Sequence, residues 1–284
     1  MSYFLVTLLA FFNTLINCSP LQVLVSVGGI FFLGFPVMAK VSAYTVAILE
    51  KSDFNPLVAM LIAILLTIII AIGFYYLYLR VSNDSFAVIG LAAMLAVEAL
   101  IISWDDLTNG LLGIPGIPRP EIANSIPSLL FVTILFALIV LVFEWLFFQT
   151  KYGRALRAMK ENNISVEALG INPNKIILGI MITMAVVFSF STSLYLWRVQ
   201  FLAPSFAGLH YLILLLTIAI MAHRPKVTLL ILSTVFVFYI PELLRFFPLP
   251  SAILGYSRLV IYSLLLIVLL INLSPKFITS SRKI

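Results

Sequence analysis

Membrane-length apolar segments recur along almost the whole chain. A helix rises 1.5 Å per residue, so roughly 20 apolar residues cross the ~30 Å hydrocarbon core of a bilayer. Residues Lys40–Leu49 are apolar but too short to cross alone, and Pro36 and Lys40 interrupt the run. We therefore expect Leu21–Leu49 to form one span followed by a broken or re-entrant helix. The predicted spans are Tyr3–Ile16, Leu21–Val37, Pro56–Leu79, Phe86–Ser103, Ile126–Phe148, Ile176–Trp197, Phe206–Ala222, Val227–Leu244 and Tyr256–Leu273.

The composition agrees with a chain that is mostly surrounded by lipid. Of its 284 residues 63% are hydrophobic and 10% are charged, whereas soluble domains keep about 25% charged residues. Inside a bilayer the backbone polar groups of such spans are satisfied by helix formation. The sequence therefore predicts an all-α, polytopic transmembrane bundle of about 8–10 spans, some of them broken. We expect residues 1–284 to form a single transmembrane domain.

The sequence argues against several kinds of chemistry. The net charge of +6 is typical of Lys and Arg retained in the inside loops of a membrane protein, so nucleic acid is not an expected partner. Cys18 is the only cysteine, and His210 and His223 lack metal-ligand spacing. No catalytic, cofactor or metal site is predicted, and no cleavable signal peptide. The chain has no P-loop, so any ATP that drives it must be hydrolysed by another subunit.

The most basic stretch is KYGRALRAMKENNISVEALGINPNK, from Lys151 to Lys175. Its excess of positive charge predicts a cytoplasmic location. Asn163 is suited to cap a short helix, Ile164–Leu169, and Gly170 to end it in the left-handed conformation. Asn172 followed by Pro173 predicts the start of the next helix. The pattern fits either a docking helix across the cytoplasmic mouth or a solvated loop whose charges only set the topology.

The segment TNGLLGIPGIPRP, from Thr108 to Pro120, is predicted to lie outside and to form tight turns. Gly110, Gly113 and Pro115 are candidate gate residues within it. Its apolar residues are expected to pack into the outer face; they are Leu111, Leu112, Ile114 and Ile117. The segment is either a gate or docking surface for an external partner, or a rigid structural cap.

Ionisable residues inside apolar segments are candidates for function. Glu98 lies one turn from the outer end of its segment and is the preferred pathway candidate. Glu144 lies one turn from the inner end of another segment, and Lys40 lies between two apolar runs. The spacing of Glu242 and Arg245 indicates a pair on a helix surface rather than a substrate site.

Several of these segments resemble a known family. YGRALRAMKENNISVEALGINPNK is similar to the cytoplasmic coupling segment of permease subunits of branched-chain amino-acid ABC importers, with its G-R-A-L-R-A…E-A-L-G-I-N pattern. LTNGLLGIPGIPRP resembles the family's glycine-rich outer stretch, and AYTVAIL and PELLR resemble further segments in the same order. Two segments depart from the family's glycine-rich pattern: FLGFPVMAK (Phe32–Lys40) and MAHRPKV (Met221–Val227).

The resemblance implies a function and a set of partners. It implies a permease subunit in a prokaryotic inner membrane that moves a branched-chain amino acid or a similar small polar solute inward. Two ATPase subunits, a second permease subunit, an extracytoplasmic solute-binding protein and membrane lipid are the implied partners. The alternatives are an ion-coupled secondary transporter and a scaffold subunit of a transporter. The residues implied in coupling to the ATPase are Gly153, Arg154, Arg157, Glu167, Ala168, Leu169 and Gly170.

Overall fold

A computed structural model describes residues 2–161, 166–167, 170–243 and 251–277. Within these ranges the chain is an all-α bundle of eleven helices with one two-residue strand pair, which confirms the predicted fold class. Five helical stretches in this part are long and apolar enough to cross a membrane. The helices are α1 Ser2–Leu21, α2 Phe35–Lys51, α3 Pro56–Arg80, α4 Asn83–Ser103, α5 Asp105–Thr108, α6 Ile126–Gln149, α7 Lys151–Glu161, α8 Pro173–Val199, α9 Leu209–Met221, α10 Val227–Leu243 and α11 Ser251–Phe277.

The first span is longer than the sequence predicts. Helix α1 includes Pro20 and continues directly into a π-helical turn, Gln22–Val27, so that one span replaces the predicted break after Ile16. Two of the buried polar residues at this point donate hydrogen bonds to distant parts of the chain. Gln22 Nε2 donates to the carbonyl oxygens of Ala222 and Arg224, and Ser19 Oγ donates to Glu144. The predicted separate spans Tyr3–Ile16 and Leu21–Val37 are therefore wrong.

The expected break lies before α2 rather than within it. The helix ends at Val27, the chain runs without regular structure as far as Gly34, and α2 then begins with Pro36 in its first turn. Proline is tolerated there because the first amides of a helix have no partner inside the helix. Pro36 thus starts a helix instead of interrupting one, and Lys40 lies inside α2. The glycines that precede it supply the break.

Helix α8 lies in the centre of the bundle. Most of its residues are buried, and it packs against α1, α2 and α3. Thr67 of α3 and Ser189 of α8 share a hydrogen bond of 2.6 Å, which satisfies two hydroxyls that are fully buried. At the opposite end of α8 from Pro173, Arg198 Nη1 donates to the carbonyl oxygen of Val6. The start of α1 and the end of α8 therefore lie at the same end of the bundle.

The Gly/Pro-rich segment from Thr108 to Pro120, which the sequence predicts to lie outside, is joined to the chain after α8 by a strand pair, and we call it the outer cap. Strand β1 (Ile114–Pro115) pairs antiparallel with β2 (Phe201–Leu202), and Ile114 and Ile117 are buried as expected. Gly113 has a φ of +70° and approaches the Leu202 carbonyl so closely that a side chain there would overlap it. Leu111 and Leu112, however, are 76% and 82% exposed, so the expectation that they pack inward is wrong. They lie on a 3-10 turn that projects from the cap.

Candidate functional site

Three of the predicted coupling residues, Gly153, Arg154 and Arg157, belong to a helix that the sequence pattern did not predict. Helix α7 follows α6 after a single residue, Thr150, whose hydroxyl accepts from the Gly153 amide at 3.2 Å. A Cβ at Gly153 would overlap the carbonyl oxygen of Phe147. The tight turn from α6 into α7 therefore requires glycine at this position. Gly153 shapes the turn and is buried beneath the surface of α7.

Helix α7 is amphipathic. Ala155, Leu156 and Met159 are buried in the main core, whereas Arg154 and Arg157 are exposed on the other side. Such one-sided patterning is typical of a helix that lies on a bundle surface with its charges towards solvent. We call the exposed face of α7, together with Glu167 and Gly170, the basic platform. The structure thus places Arg154 and Arg157 on one solvent-facing surface.

The remainder of the basic stretch is described in part. Val166 is buried in the main core and Glu167 is exposed. Gly170 has a φ of +76°, as expected for the residue that ends a helix. Asn172 accepts hydrogen bonds from the amides of Asn174 and Lys175 and so caps α8, with Pro173 in its first turn. The predicted cap Asn163, most of the predicted helix Ile164–Leu169, and Ala168 and Leu169 lie outside the described residues.

The buried side of α7 contacts the break that precedes α2. Lys160 Nζ donates to the carbonyl oxygen of Ser26 at 3.2 Å, in the last turn before the break. A Cβ built on Gly29 would lie 3.2 Å from Lys160 Cγ, and one on Gly28 would lie 3.2 Å from Leu156 Cδ1. Burial lowers the pKa of Lys160. The base of α7 is therefore packed directly on the two glycines at which the backbone leaves the first span.

Beyond the break, α2 carries a buried ion pair. Lys40 Nζ lies 2.5 Å from Glu98 Oε2 of α4; the Lys40 side chain is 0% exposed and that of Glu98 is 28% exposed. Gly208 lies near the same carboxylate, since a Cβ there would be 3.6 Å from Glu98 Oε2. Tyr44, one helical turn beyond Lys40, is buried, and its hydroxyl has no hydrogen-bond partner within the described residues. This pair joins α2, which begins directly after the break, to the neighbouring span α4.

The other candidates lie elsewhere. Gly110, Gly113 and Pro115 belong to the outer cap; Gly110 and Gly113 have positive φ, and Pro115 pairs with Phe201. Glu144 is buried and bonded to Ser19, so it does not reach the interface as a free charge. The side chains of the predicted pair Glu242 and Arg245 lie outside the part that is described. No group of three potential metal ligands occurs in the described ranges.

The contacts of α7 with the glycine break, and the pairing of Lys40 with Glu98, were not predictable from the sequence. Lys40 and Glu98 were each recognised as unusual, but their pairing depends on how α2 and α4 pack against each other. Gly28 and Gly29 were not singled out, although a Gly-Gly pair inside an apolar run is itself a signal of a backbone break. The sequence pattern indicates for Lys160 only that it adds to the positive charge of the basic stretch. No local pattern predicts its bond to Ser26, which is 134 positions away.

Comparison with known proteins agrees with this architecture. A family model described as the permease component of branched-chain amino-acid transport systems matches residues 3–269. No curated protein and no solved structure matches the chain significantly. Because the family match covers most of the 284 residues, the chain belongs to the family of permease components of branched-chain amino-acid transport systems and is a multi-pass membrane transport protein.

Proposed function

We propose that the chain is the permease subunit of an ATP-driven importer for branched-chain amino acids or similar small polar solutes. Residues 1–284 act as one transmembrane domain in the inner membrane of a prokaryote, without an enzymatic activity of their own. Two ABC ATPase subunits bind on the cytoplasmic side, a second permease subunit lies alongside, and a solute-binding protein delivers the solute from outside. The family match supports the transport role. The observation that carries the ATP-coupled role is the basic platform.

Helix α7 is suited to transmit movement because its two faces have different contacts. Its exposed face, with the neighbouring Glu167, presents Arg154 and Arg157 to a partner. Its buried face contacts the start of the break through Leu156 and Lys160. A rigid-body shift of a docked ATPase would move α7, and the non-helical residues after Val27 can absorb a change in backbone angles as a hinge does.

The non-helical residues between Val27 and Phe35, which we call the hinge, directly precede α2, and α2 carries Lys40 of the ion pair. A change in the direction of α2 alters the position of Lys40 relative to Glu98. The pair places one positive and one negative charge next to an otherwise apolar interior. A zwitterionic amino acid carries the complementary groups, a carboxylate for Lys40 and an ammonium for Glu98. We infer that Glu98 belongs to the solute pathway, as its position in the sequence indicates, and that Lys40 acts with it.

The outer cap is suited to dock the solute-binding protein. Leu111 and Leu112 are exposed apolar side chains on a 3-10 turn, and the positive φ of Gly110 and Gly113 at its two ends supports a docking role for the turn over that of a moving gate. Gly110, Gly113 and Pro115 thus support a docking surface on the outer face. The paired strands keep its geometry constant while the spans move.

Charge reversal on the platform tests the proposal. Arg154→Glu with Arg157→Glu should remove co-purification with the ATPase and stop leucine uptake, while the amount of inserted permease stays the same. Arg80→Glu is the matched control, because Arg80 is an exposed arginine at the end of α3 that does not belong to the platform. Glu167→Lys and Gly170→Pro should also abolish uptake. Normal uptake by these variants, or uptake that stops when the ion gradient collapses but continues when ATP is depleted, would contradict the proposal.

A further inference from the structure

A cleft beside the basic platform lies between α1, α6 and α8. Its volume is about 740 Å³, which lies within the range of about 300–1,000 Å³ typical of small-molecule sites. Ser19 and Pro20 of α1 contribute to one wall, and α6 and α8 form the other two. The cleft belongs neither to the ion pair nor to the contact between α7 and the glycine break. Its chemistry therefore needs its own explanation.

The lining changes from apolar to basic along the length of the cleft. The deep part is apolar, with Phe136, Ile139 and Val187 among its lining residues. At the mouth, Lys151 begins α7 and Lys175 lies in the first turn of α8; both are exposed. Among the described residues, the lining contains one acidic side chain, Glu144. The mouth therefore attracts a negative group, whereas the interior favours hydrocarbon.

The length of the cleft matches one leaflet of a bilayer. From Phe136 to Phe147, the first and last residues of α6 that line the cleft, the helix rises about 17 Å. Half of the hydrocarbon core is about 15 Å thick, and the headgroup region adds several Å. A transmembrane helix of a partner subunit would instead need a groove as long as the whole core. The dimensions thus favour a lipid over a protein segment.

Glu144 lies at an intermediate depth, about 8 Å along α6 from Gln149. Its side chain is only 2% exposed, and Oε2 accepts a hydrogen bond from Ser19 Oγ at 2.5 Å. Oε1 has no partner among the described residues. Buried polar atoms are usually satisfied, so this oxygen indicates a ligand that carries a donor, or an acceptor if Oε1 holds the carboxyl proton. The ester carbonyls of a lipid are acceptors that lie at this depth when its phosphate is at the mouth, and they would accept from a protonated Oε1.

We propose that the cleft binds one anionic phospholipid of the cytoplasmic leaflet. The phosphate lies between Lys151 and Lys175, the glycerol region lies near Glu144, and an acyl chain follows the apolar walls towards Phe136. The site does not depend on the solute or on the ATPase, so it stands apart from the proposed transport function. Because Lys151 and Gly170 both line the cleft, the bound lipid would also fix the base of the basic platform.

Native mass spectrometry of the delipidated full-length protein with equal amounts of dioleoyl phosphatidylglycerol and dioleoyl phosphatidylcholine tests this proposal. Two lysines near the membrane surface, each worth about 1 kcal/mol, predict a preference of about 30-fold for the anionic lipid at low salt. Lys151→Ser with Lys175→Ser should bring this preference close to onefold. The double variant should still retain either lipid through the apolar walls.

Gly179→Leu provides a second and independent variant. Gly179 lines the cleft, and a Cβ there meets nothing within 4 Å among the described residues, so a leucine side chain would begin in open space and occupy part of the cleft. Retention of both lipids should fall at least tenfold. Gly73→Leu is the matched control, because Gly73 is an exposed glycine of α3 that also has open space around its Cβ; it should behave as the wild type does.

Three results would overturn the proposal. The first is equal retention of the two lipids by the wild-type protein. The second is an unchanged preference in the double lysine variant. The third is unchanged lipid retention in the Gly179→Leu variant. If this variant also loses the mass of a permease dimer, the cleft is instead a contact between permease subunits. Leucine uptake by any variant has no bearing on these outcomes, so failure of the transport proposal would be recognised separately.

Discussion

Replacing Glu98 with Gln leaves the Lys40 ammonium without its carboxylate partner. Lys40 is fully buried, so its charge has no access to water that could replace Glu98. Breaking a buried pair from one side costs about 3–5 kcal/mol, because the remaining charge is uncompensated. At about 2–4 °C per kcal/mol, the melting temperature should fall by roughly 10 °C.

The reverse change should cost less. Lys40→Met leaves Glu98, whose side chain is 28% exposed and can turn towards water. The double variant Lys40→Met/Glu98→Gln removes both charges and keeps similar volumes, and such replacements of buried pairs are often neutral or stabilising. The expected order of stability is therefore double variant above Lys40→Met, and Lys40→Met above Glu98→Gln.

Thermal unfolding of the purified protein in detergent, followed by tryptophan fluorescence, measures this order. The cycle of the two single variants and the double variant gives the coupling energy between the residues, which we expect to exceed about 2 kcal/mol. Additive effects of the two single substitutions would show that the pair does not stabilise the fold. Leucine uptake should be lost in the double variant even though its stability is restored, if the pair also belongs to the solute pathway.

Two further substitutions probe the glycine break and the start of α8. Gly29→Ala places a Cβ at a φ of +70° and 3.2 Å from Lys160 Cγ; it should cost about 1–2 kcal/mol and reduce uptake several-fold, whereas Gly73→Ala should leave uptake unchanged. Equal uptake by both glycine variants would show that the break is not a hinge. Asn172→Ala removes the cap of α8 and should cost about 1 kcal/mol, measured as a fall of a few degrees in melting temperature; an unchanged melting temperature would mean that the cap does not stabilise α8.

Local signals were sufficient where a structural feature depends on neighbouring residues. The apolar lengths predicted most of the spans, and the Asn172–Pro173 pair predicted the start of α8 to the residue. The left-handed conformation of Gly170 followed from the glycine alone. These features are set by helix propensity and capping, which act within a few residues.

Features that depend on distant partners were not predictable in the same way. The apolar pattern predicted that the first span ends at Ile16, but the helix continues because Glu144 and the Ala222 carbonyl accept hydrogen bonds from polar side chains there. Helix α7 is short, and its buried residues gain their stability from packing on the bundle rather than from intrinsic propensity. The exposed Leu111 and Leu112 show the converse, since apolar character alone does not say which turn residues face inward.

A single engineered cysteine offers the most direct test of the claim that the basic platform docks an ATPase. Cys18 is the one native cysteine and is fully buried, so Cys18→Ala gives a background free of thiols. Arg154→Cys on this background, treated with a short bifunctional cross-linker in membranes that contain the whole transporter, should yield a permease–ATPase product that ATP binding alters in amount. Leu111→Cys on the outer cap should yield no such product. Labelling of the Arg154→Cys variant by a membrane-impermeant thiol reagent from the outside of intact cells, or cross-linking of the Leu111→Cys variant to the ATPase instead, would contradict the account.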